Sequence, residues 1–223
     1  MGKVYIVGVG PGSPEYVTEK AKQVIDASDI VVGYKHTLDT VRNLLDGKDV
    51  RQITLKTQEE VYADVAKSLK SEEKTCAVMF TGDPDFSESE IVDRLIEIFG
   101  DANVEIIPGV SSVQVAASRS KVPIDKSVLI TFHITGSIER EKQALLDALK
   151  GGRNVIMLPR PWDFMPVEVA EFLRNADIDR GRFGIEIYEF LTLSNERVTK
   201  CRLSEVPKKE YSDLCVMVIR PRA

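Results

Sequence analysis

The sequence predicts an α/β protein of two lobes, with a mostly parallel sheet in the first and a mixed sheet in the second. Three observations carry this. Through the first half, short β-branched runs alternate with helical patterns. Near the end, three β-patterned runs follow one another with no helix between them. The 223 residues, set against about 150 per domain, give a ratio near 1.5 that fits one large domain or two small ones.

The elements follow in order. Val4–Val9 opens as a strand and Glu15–Ala27 as a helix; Ile30–Val32 leads to Leu38–Leu45, and Val50–Leu55 to Glu59–Leu69. Cys76–Phe80 then precedes Glu88–Phe99, and Val104–Ile107 is the fifth strand. Runs such as Val4-Tyr5-Ile6-Val7 do not alternate with polar residues, the pattern of strands covered on both faces, as in parallel sheets. Ser111–Ser120 is a small-residue segment, and Val122-Pro123 constrains the chain before the next strand. The lobe boundary is placed within 113–125, with the lobes written as 1–112 and 113–223. The second lobe reads as strand Ser127–Phe132, helix Glu139–Leu149, strand Asn154–Leu158, helix Pro166–Asn175, and strands over 182–188, 196–202 and 213–219. Short links between the last three predict an antiparallel end to the sheet.

Composition narrows the function. Apolar residues at 43%, charged residues at 29% and 24 Gly plus Pro describe an ordinary globular chain. A balance of 30 Lys+Arg against 35 Asp+Glu, without a basic run, gives no support to a nucleic-acid partner. The longest uncharged stretch, Ile106–Ser118, contains Pro108 and Gly109 and is shorter than the roughly 20 residues a spanning helix needs. The opening residues lack the apolar core and cleavage site of a secretory signal, so a cytoplasmic protein without a membrane anchor is expected. Cys76, Cys201 and Cys215 are too scattered for a disulfide framework or paired metal ligands, and are expected to be buried thiols.

Three loops follow strands of the first sheet. Gly8-Val9-Gly10-Pro11-Gly12-Ser13-Pro14 is either a tight turn or a place of close backbone approach to a ligand. A dinucleotide fingerprint is disfavoured by Ser13 where glycine is needed and by Gly33-Tyr34 where an acid should close the second strand. A phosphate-binding loop is excluded because no Gly-Lys-Ser/Thr follows. In Thr81-Gly82-Asp83-Pro84-Asp85-Phe86, Asp83 is either a helix cap or an acceptor for a ligand's amine or hydroxyl. In Ile107-Pro108-Gly109-Val110-Ser111-Ser112, the serines are helix caps or ligand contacts. All three loops can line one crevice, where open α/β sheets bind ligands.

These successive segments, GVGPGSPEYVT, TGDPDF and IPGVSSVQVAA, resemble the signatures of the tetrapyrrole (corrin/porphyrin) methyltransferase family, and the resemblance runs over essentially the whole chain. Ile130–His133, Asn154–Leu158 and Glu189–Val198 are similar to the branch that methylates carbon 5 of precorrin-7 or cobalt-precorrin-7 in cobalamin synthesis. Other ring positions, uroporphyrinogen methylation and non-catalytic binding are the alternatives. Two departures stand out: Ser87-Glu88-Ser89-Glu90 follows Phe86 where the family has a small residue or glycine, and His133-Ile134-Thr135-Gly136-Ser137 stands where the branch has His-Gly-Arg, so that the basic contact expected there is either missing or supplied by Arg140.

The resemblance implies S-adenosyl-L-methionine as cofactor, a tetrapyrrole acceptor, no metal, a homodimer and an active site in the cleft between lobes. It further implies that Gly10 and Pro11 wall that cleft and that Gly82, Asp83 and Phe86 contact the cofactor. Ser111 and Ser112 would meet its methionine portion; Leu158, Leu191 and Thr192 would enclose its adenosine. Methyl transfer to a ring carbon is an in-line displacement that needs positioning and exclusion of water rather than a nucleophilic side chain. If a ring proton must be removed, His133 is the candidate base, since imidazole titrates near neutrality. The acceptor's acid arms call for cations, for which Lys35, His36, Arg119, Lys121 and Arg160 are candidates, with Trp162 beside Arg160 as a flat platform.

Overall fold

The structure is a computed structural model and describes residues 2–71, 74–176, 178 and 183–221. The chain divides into two compact units, one up to Ser111 and one from Ser112.

The first unit holds strands β1 (Val4–Gly8), β2 (Ile30–Tyr34), β3 (Asp49–Ile53), β4 (Cys76–Phe80) and β5 (Val104–Ile107). Its helices are α1 (Glu19–Ala27), α2 (Lys35–Thr40), α3 (Gln58–Ser71) and α4 (Ser89–Phe99). All strand pairs are parallel, in the order β3-β2-β4-β1-β5. Alternate strand residues feed two cores. Ile6, Val32, Val78 and Phe80 pack with Tyr62, Leu69, Leu95 and Phe99 of α3 and α4, while Val7, Val31, Ala77 and Met79 pack with Val24, Ile25 and Leu38 of α1 and α2. Burial on both faces explains the unbroken apolar strands.

The second unit contains α5 (Ser112–Ser120), β6 (Ser127–Thr131), α6 (Glu139–Lys150), β7 (Asn154–Leu158), α7 (Pro166–Asn175), β8 (Phe183–Glu189), β9 (Arg197–Arg202) and β10 (Cys215–Pro221). Its strand order is β6-β7-β10-β8-β9, with β6 and β7 parallel and the remaining neighbours antiparallel. One face carries the core formed by Phe132, Leu145, Leu149, Val169 and Leu173 against Met157, Ile187 and Met217, and α5 packs on β7 and β10.

Several expected boundaries move for local reasons. The helix expected from Glu15 is a short 3-10 turn, Pro14–Tyr16, and then α1, because Val17 and Thr18 are extended and Thr18 Oγ1 accepts the Ala21 N–H at 3.1 Å. The expected helix Leu38–Leu45 starts earlier, at Lys35, and gives way to a 3-10 turn at Arg42–Leu44. The last strands do not form a simple meander: β10 inserts between β7 and β8, leaving β9 at the edge, and the link from β9 to β10 carries a 3-10 turn at Leu203–Glu205. Residue 182, expected to begin β8, lies outside the described residues. Cys76 and Cys215 are buried, but Cys201, on edge strand β9, is only half-buried; none is in a disulfide. Among the described residues, no helix is long and apolar enough to cross a membrane and no cluster has the makings of a metal site.

Candidate active site

Strand order brings the three loops of the first unit together. Because β1 lies between β4 and β5, the turns leaving these strands are neighbours, and their glycines pack backbone against backbone. Gly10 and Gly82 pair across an isolated antiparallel bridge, with Gly82 N–H donating to Gly10 O at 2.7 Å and Gly10 N–H to Gly82 O at 3.3 Å. Both use the left-handed region, at φ +81° and +75°. A Cβ on Gly109 would stand 2.2 Å from Gly82 O and 2.8 Å from Gly8 Cα. Gly8 and Gly109 therefore set how closely the loops approach, a role that the sequence hid inside ordinary turn composition.

Asp83 follows this contact directly. It does not cap α4, which begins at Ser89 after Glu88. Instead Asp83 Oδ1 accepts the Asp85 N–H at 2.9 Å, and its carboxyl also accepts the backbone N–H of Gly109, tying the second loop to the third. Burial pushes the carboxyl above the usual aspartate range against the pull of these two bonds. No cation among the described residues pairs with it. Phe86 is half-buried and donates its N–H to Asp83 O at 3.1 Å. Pro11 and Ser111 are buried, the latter 6% exposed, and Ser112 is the first residue of α5.

At the carboxyl end of β2, Lys35 is paired with Asp39 at 2.7 Å, and His36, exposed, stacks on Tyr34 with ring centroids 6.0 Å apart. Lys35 is 73% exposed, so this pair is weak and leaves the ammonium available to an anion.

In the second unit, His133 follows β6. Burial pushes its imidazole below the usual histidine range, opposed by a hydrogen bond to the Pro159 backbone, and Nε2 is buried without a partner among the described residues. The ring is thus held neutral with one nitrogen free to accept a proton or a donor. Leu158 and Leu191 are buried. The turn after β8 is strained: Phe190 and Thr192 lie at φ +55° and +72°, conformations that cost of order 1–3 kcal/mol each for such residues. Glu196 Oε2 holds the turn by accepting the Thr192 N–H at 2.8 Å, and Arg119 of α5 reaches the same oxygen at 3.8 Å. Lys121, exposed just after α5, is also left-handed at φ +54°.

Arg160 does not have the free guanidinium expected of it. It is 7% exposed and forms a two-pronged pair with Asp163 at 2.6 and 2.8 Å, while Nη1 donates to Gly136 O at 2.9 Å. With its donors committed, it positions the loop after β7 rather than offering a charge to an acid arm. Trp162 stacks against that guanidinium at 5.4 Å and remains 63% exposed.

Comparison with known proteins places this architecture. A family model described as Tetrapyrrole (Corrin/Porphyrin) Methylases matches residues 3–207. A probable cobalt-precorrin-7 C(5)-methyltransferase of Methanocaldococcus jannaschii is 33% identical over 219 residues, 96% of both chains. The crystal structure of a cobalamin biosynthesis precorrin-6Y methylase from Archaeoglobus fulgidus superposes with TM-score 0.69 at 22% identity, covering 99% of each chain. A uroporphyrin-III C-methyl transferase of Thermus thermophilus, complexed with S-adenyl homocysteine, gives TM-score 0.73 at 20% identity over 98% of this chain and 92% of that one. With a family model spanning most of its length and a full-length relative at this identity, the chain belongs to the tetrapyrrole (corrin/porphyrin) methylases, a family of S-adenosylmethionine-dependent methyltransferases.

Proposed function

We propose that this enzyme methylates carbon 5 of cobalt-precorrin-7, using S-adenosylmethionine, within cobalamin biosynthesis. The observation that carries the reading is full-length similarity to the Methanocaldococcus jannaschii protein, 33% identical over 96% of both chains. The matches at other ring positions cover less: a cobalt-precorrin-4 C(11)-methyltransferase of the same organism is aligned over 66% of this chain and 60% of its own.

The residues of the first unit fit the methyl donor. Asp83 is a partly buried carboxyl with no cation paired to it among the described residues, which suits a ligand that brings an ammonium or hydroxyl donors of its own. The bond from the Gly109 N–H ties this carboxyl to the loop that leads to Ser111. When bound, S-adenosylmethionine supplies an electrophilic methyl group on a sulfonium. In this reading Gly10, Pro11, Gly82, Asp83, Phe86, Ser111 and Ser112 bind and orient the donor. Leu158, Leu191 and Thr192, on a strand end and a strained turn, contribute apolar surface for adenosine and exclude water. His133, neutral and with Nε2 unpartnered among the described residues, accepts the ring proton lost after methylation. Lys35, His36, Arg119 and Trp162 serve the acceptor, and a homodimer in the cytoplasm is the expected state.

The test is incubation of the purified enzyme with labelled S-adenosylmethionine and a panel of cobalt-containing and cobalt-free precorrin intermediates, with product mass and methylated position read by mass spectrometry and NMR. Methylation of cobalt-precorrin-7 at carbon 5 is expected. Transfer to another ring carbon overturns the assigned position, and absence of transfer to any intermediate overturns the reading.

A further inference from the structure

In the segment Glu189–Val198, Leu191 and Thr192 serve the donor in the proposed function, but the two glutamates have no part in it. The loop between them is unusual in length and in backbone. Glu189 and Arg197 are register partners that close the β8–β9 ladder, and seven residues, 190–196, project beyond it, where antiparallel neighbours are ordinarily joined by about 2–5. Phe190 and Thr192 lie at φ +55° and +72°, a region that a β-branched side chain opposes. The loop closes through two tight turns, with the Leu193 N–H donating to Phe190 O at 2.9 Å and the Glu196 N–H to Leu193 O at 3.0 Å. A left-handed threonine persists only where its surroundings over-determine it, and such residues gather at binding sites.

Those surroundings divide between the two glutamates. Glu189, fully buried, fixes the base of the loop: its carboxylate accepts from Arg197 Nη2 at 2.9 Å, Lys209 Nζ at 2.6 Å and the Ser212 N–H at 3.1 Å. Beside it the Phe190 N–H donates to Leu214 O at 2.9 Å, and the Arg197 guanidinium lies over the Phe190 ring at 5.2 Å. At the tip, Glu196 Oε2 accepts the Thr192 N–H at 2.8 Å. Because the N–H and C=O of a trans peptide point to opposite sides, this bond sets the plane of the Leu191–Thr192 peptide and with it the direction of the Leu191 carbonyl. Arg119 Nη2 stands 3.8 Å from the same oxygen on a side chain that is 52% exposed, beyond hydrogen-bond distance and screened by water. What Glu196 gives the tip is therefore a hydrogen bond rather than a charge pair.

Building on the proposed function, in which Leu191 and Thr192 enclose the adenosine, we propose that Glu196 is a positioning residue of the methyl-donor site. Its hydrogen bond keeps the Leu191–Thr192 peptide in the left-handed turn before the donor arrives, so that the cost of ordering the turn does not fall on binding. Glu196 itself does not touch the donor; it acts through the peptide.

The experiment compares wild type, Glu196→Gln and Glu196→Asp, with S-adenosylhomocysteine affinity by calorimetry, donor and acceptor KM and kcat by labelled methyl transfer, and folding by circular dichroism and urea unfolding. The Gln variant loses the charge and keeps an oxygen within reach, whereas the Asp variant keeps the charge and withdraws the oxygen by one methylene. Glu196→Gln is expected to bind S-adenosylhomocysteine within about threefold of wild type. Glu196→Asp is expected to bind it at least about tenfold more weakly and to raise donor KM by a similar factor, with acceptor KM and kcat at saturating donor within about threefold. A folded Glu196→Asp variant with wild-type donor affinity overturns this inference, as does one whose urea midpoint falls without that split between donor and acceptor KM. A tenfold loss of donor affinity in Glu196→Gln also overturns it, by assigning the effect to charge. All three outcomes leave the proposed function standing. Wild-type enzyme that binds S-adenosylhomocysteine but methylates no tetrapyrrole overturns the proposed function, and the calorimetric comparison of the variants then still decides this inference.

Discussion

Replacing Gly109 by alanine puts a methyl group 2.2 Å from Gly82 O and 2.8 Å from both Gly8 C and Gly8 Cα. All three are backbone atoms fixed at the ends of adjacent strands, so no side chain can rotate away. Restoring an ordinary carbon–oxygen contact of about 3.2 Å requires the Gly82 carbonyl to retreat by roughly 1 Å. That movement lengthens the Gly10–Gly82 bonds of 2.7 and 3.3 Å beyond useful range and shifts Asp83, the next residue. Overpacking costs about 1–3 kcal/mol and a lost hydrogen bond about 0.5–1.5 kcal/mol. Gly109 does not use the left-handed region, so alanine also gains about 0.4–1 kcal/mol by restricting the unfolded chain. The net expectation is a loss of about 1–3 kcal/mol in urea unfolding, together with a fall of at least tenfold in S-adenosylhomocysteine affinity by calorimetry. Chain entropy alone has the opposite sign. A Gly109→Ala protein that is as stable as wild type, or more so, with undiminished ligand affinity would refute the idea that the three loops are locked by backbone contact.

Three further outcomes are expected. Asp83→Ala should weaken S-adenosylhomocysteine binding about tenfold or more and cost about 1–3 kcal/mol of stability, because its carboxyl accepts the N–H groups of Asp85 and Gly109 but does not cap α4; unchanged affinity would remove Asp83 from the donor site. Burial lowers the His133 pKa in the folded state, so the unfolded chain binds the proton more readily, and the contribution of this residue is present above about pH 6.5 and lost on acidification below it. His133→Gln should flatten that part of the stability–pH curve, measured by urea midpoints between pH 5 and 8, and an unaltered curve would show that the buried imidazole is not what titrates. Glu189 is fully buried and gathers Arg197, Lys209 and the Ser212 N–H onto the end of β8; burial alone would raise its carboxyl, but these partners hold it below the ordinary glutamate range. Its stabilisation is therefore present above about pH 4.5 and lost as pH falls, and Glu189→Ala should cost about 2–4 kcal/mol in urea at pH 7 by leaving that strap unanchored; a loss under 1 kcal/mol would mean that the half-exposed cations find equal partners in water.

Local information made much of the fold legible. Strands such as Cys76–Phe80 are read correctly because a residue run that is apolar on both faces has only one comfortable place, the middle of a covered sheet. Helix starts were harder, since a single side-chain oxygen decides them: Thr18 stops the Glu15 pattern from forming one helix, and nothing in the periodicity reveals which polar residue will cap. The placement of β10 between β7 and β8 was also out of reach, because strand order depends on which edge offers a complementary apolar face after the rest of the sheet has formed.

The candidate site divides in the same way. The loop motifs, their glycines and the presence of Asp83 and Glu88 are sequence properties, because backbone freedom and charge belong to residues individually. What those residues do was decided by tertiary structure. Strand order made neighbours of the turns after β1, β4 and β5 and turned Asp83 from a possible cap into a partly buried acceptor bonded to Gly109, while the packing of the second unit carried the Arg160 guanidinium to the Gly136 carbonyl. Burial and pairing set the free energy of a polar group, and both are properties of the surroundings that a chain acquires only when segments distant in sequence meet.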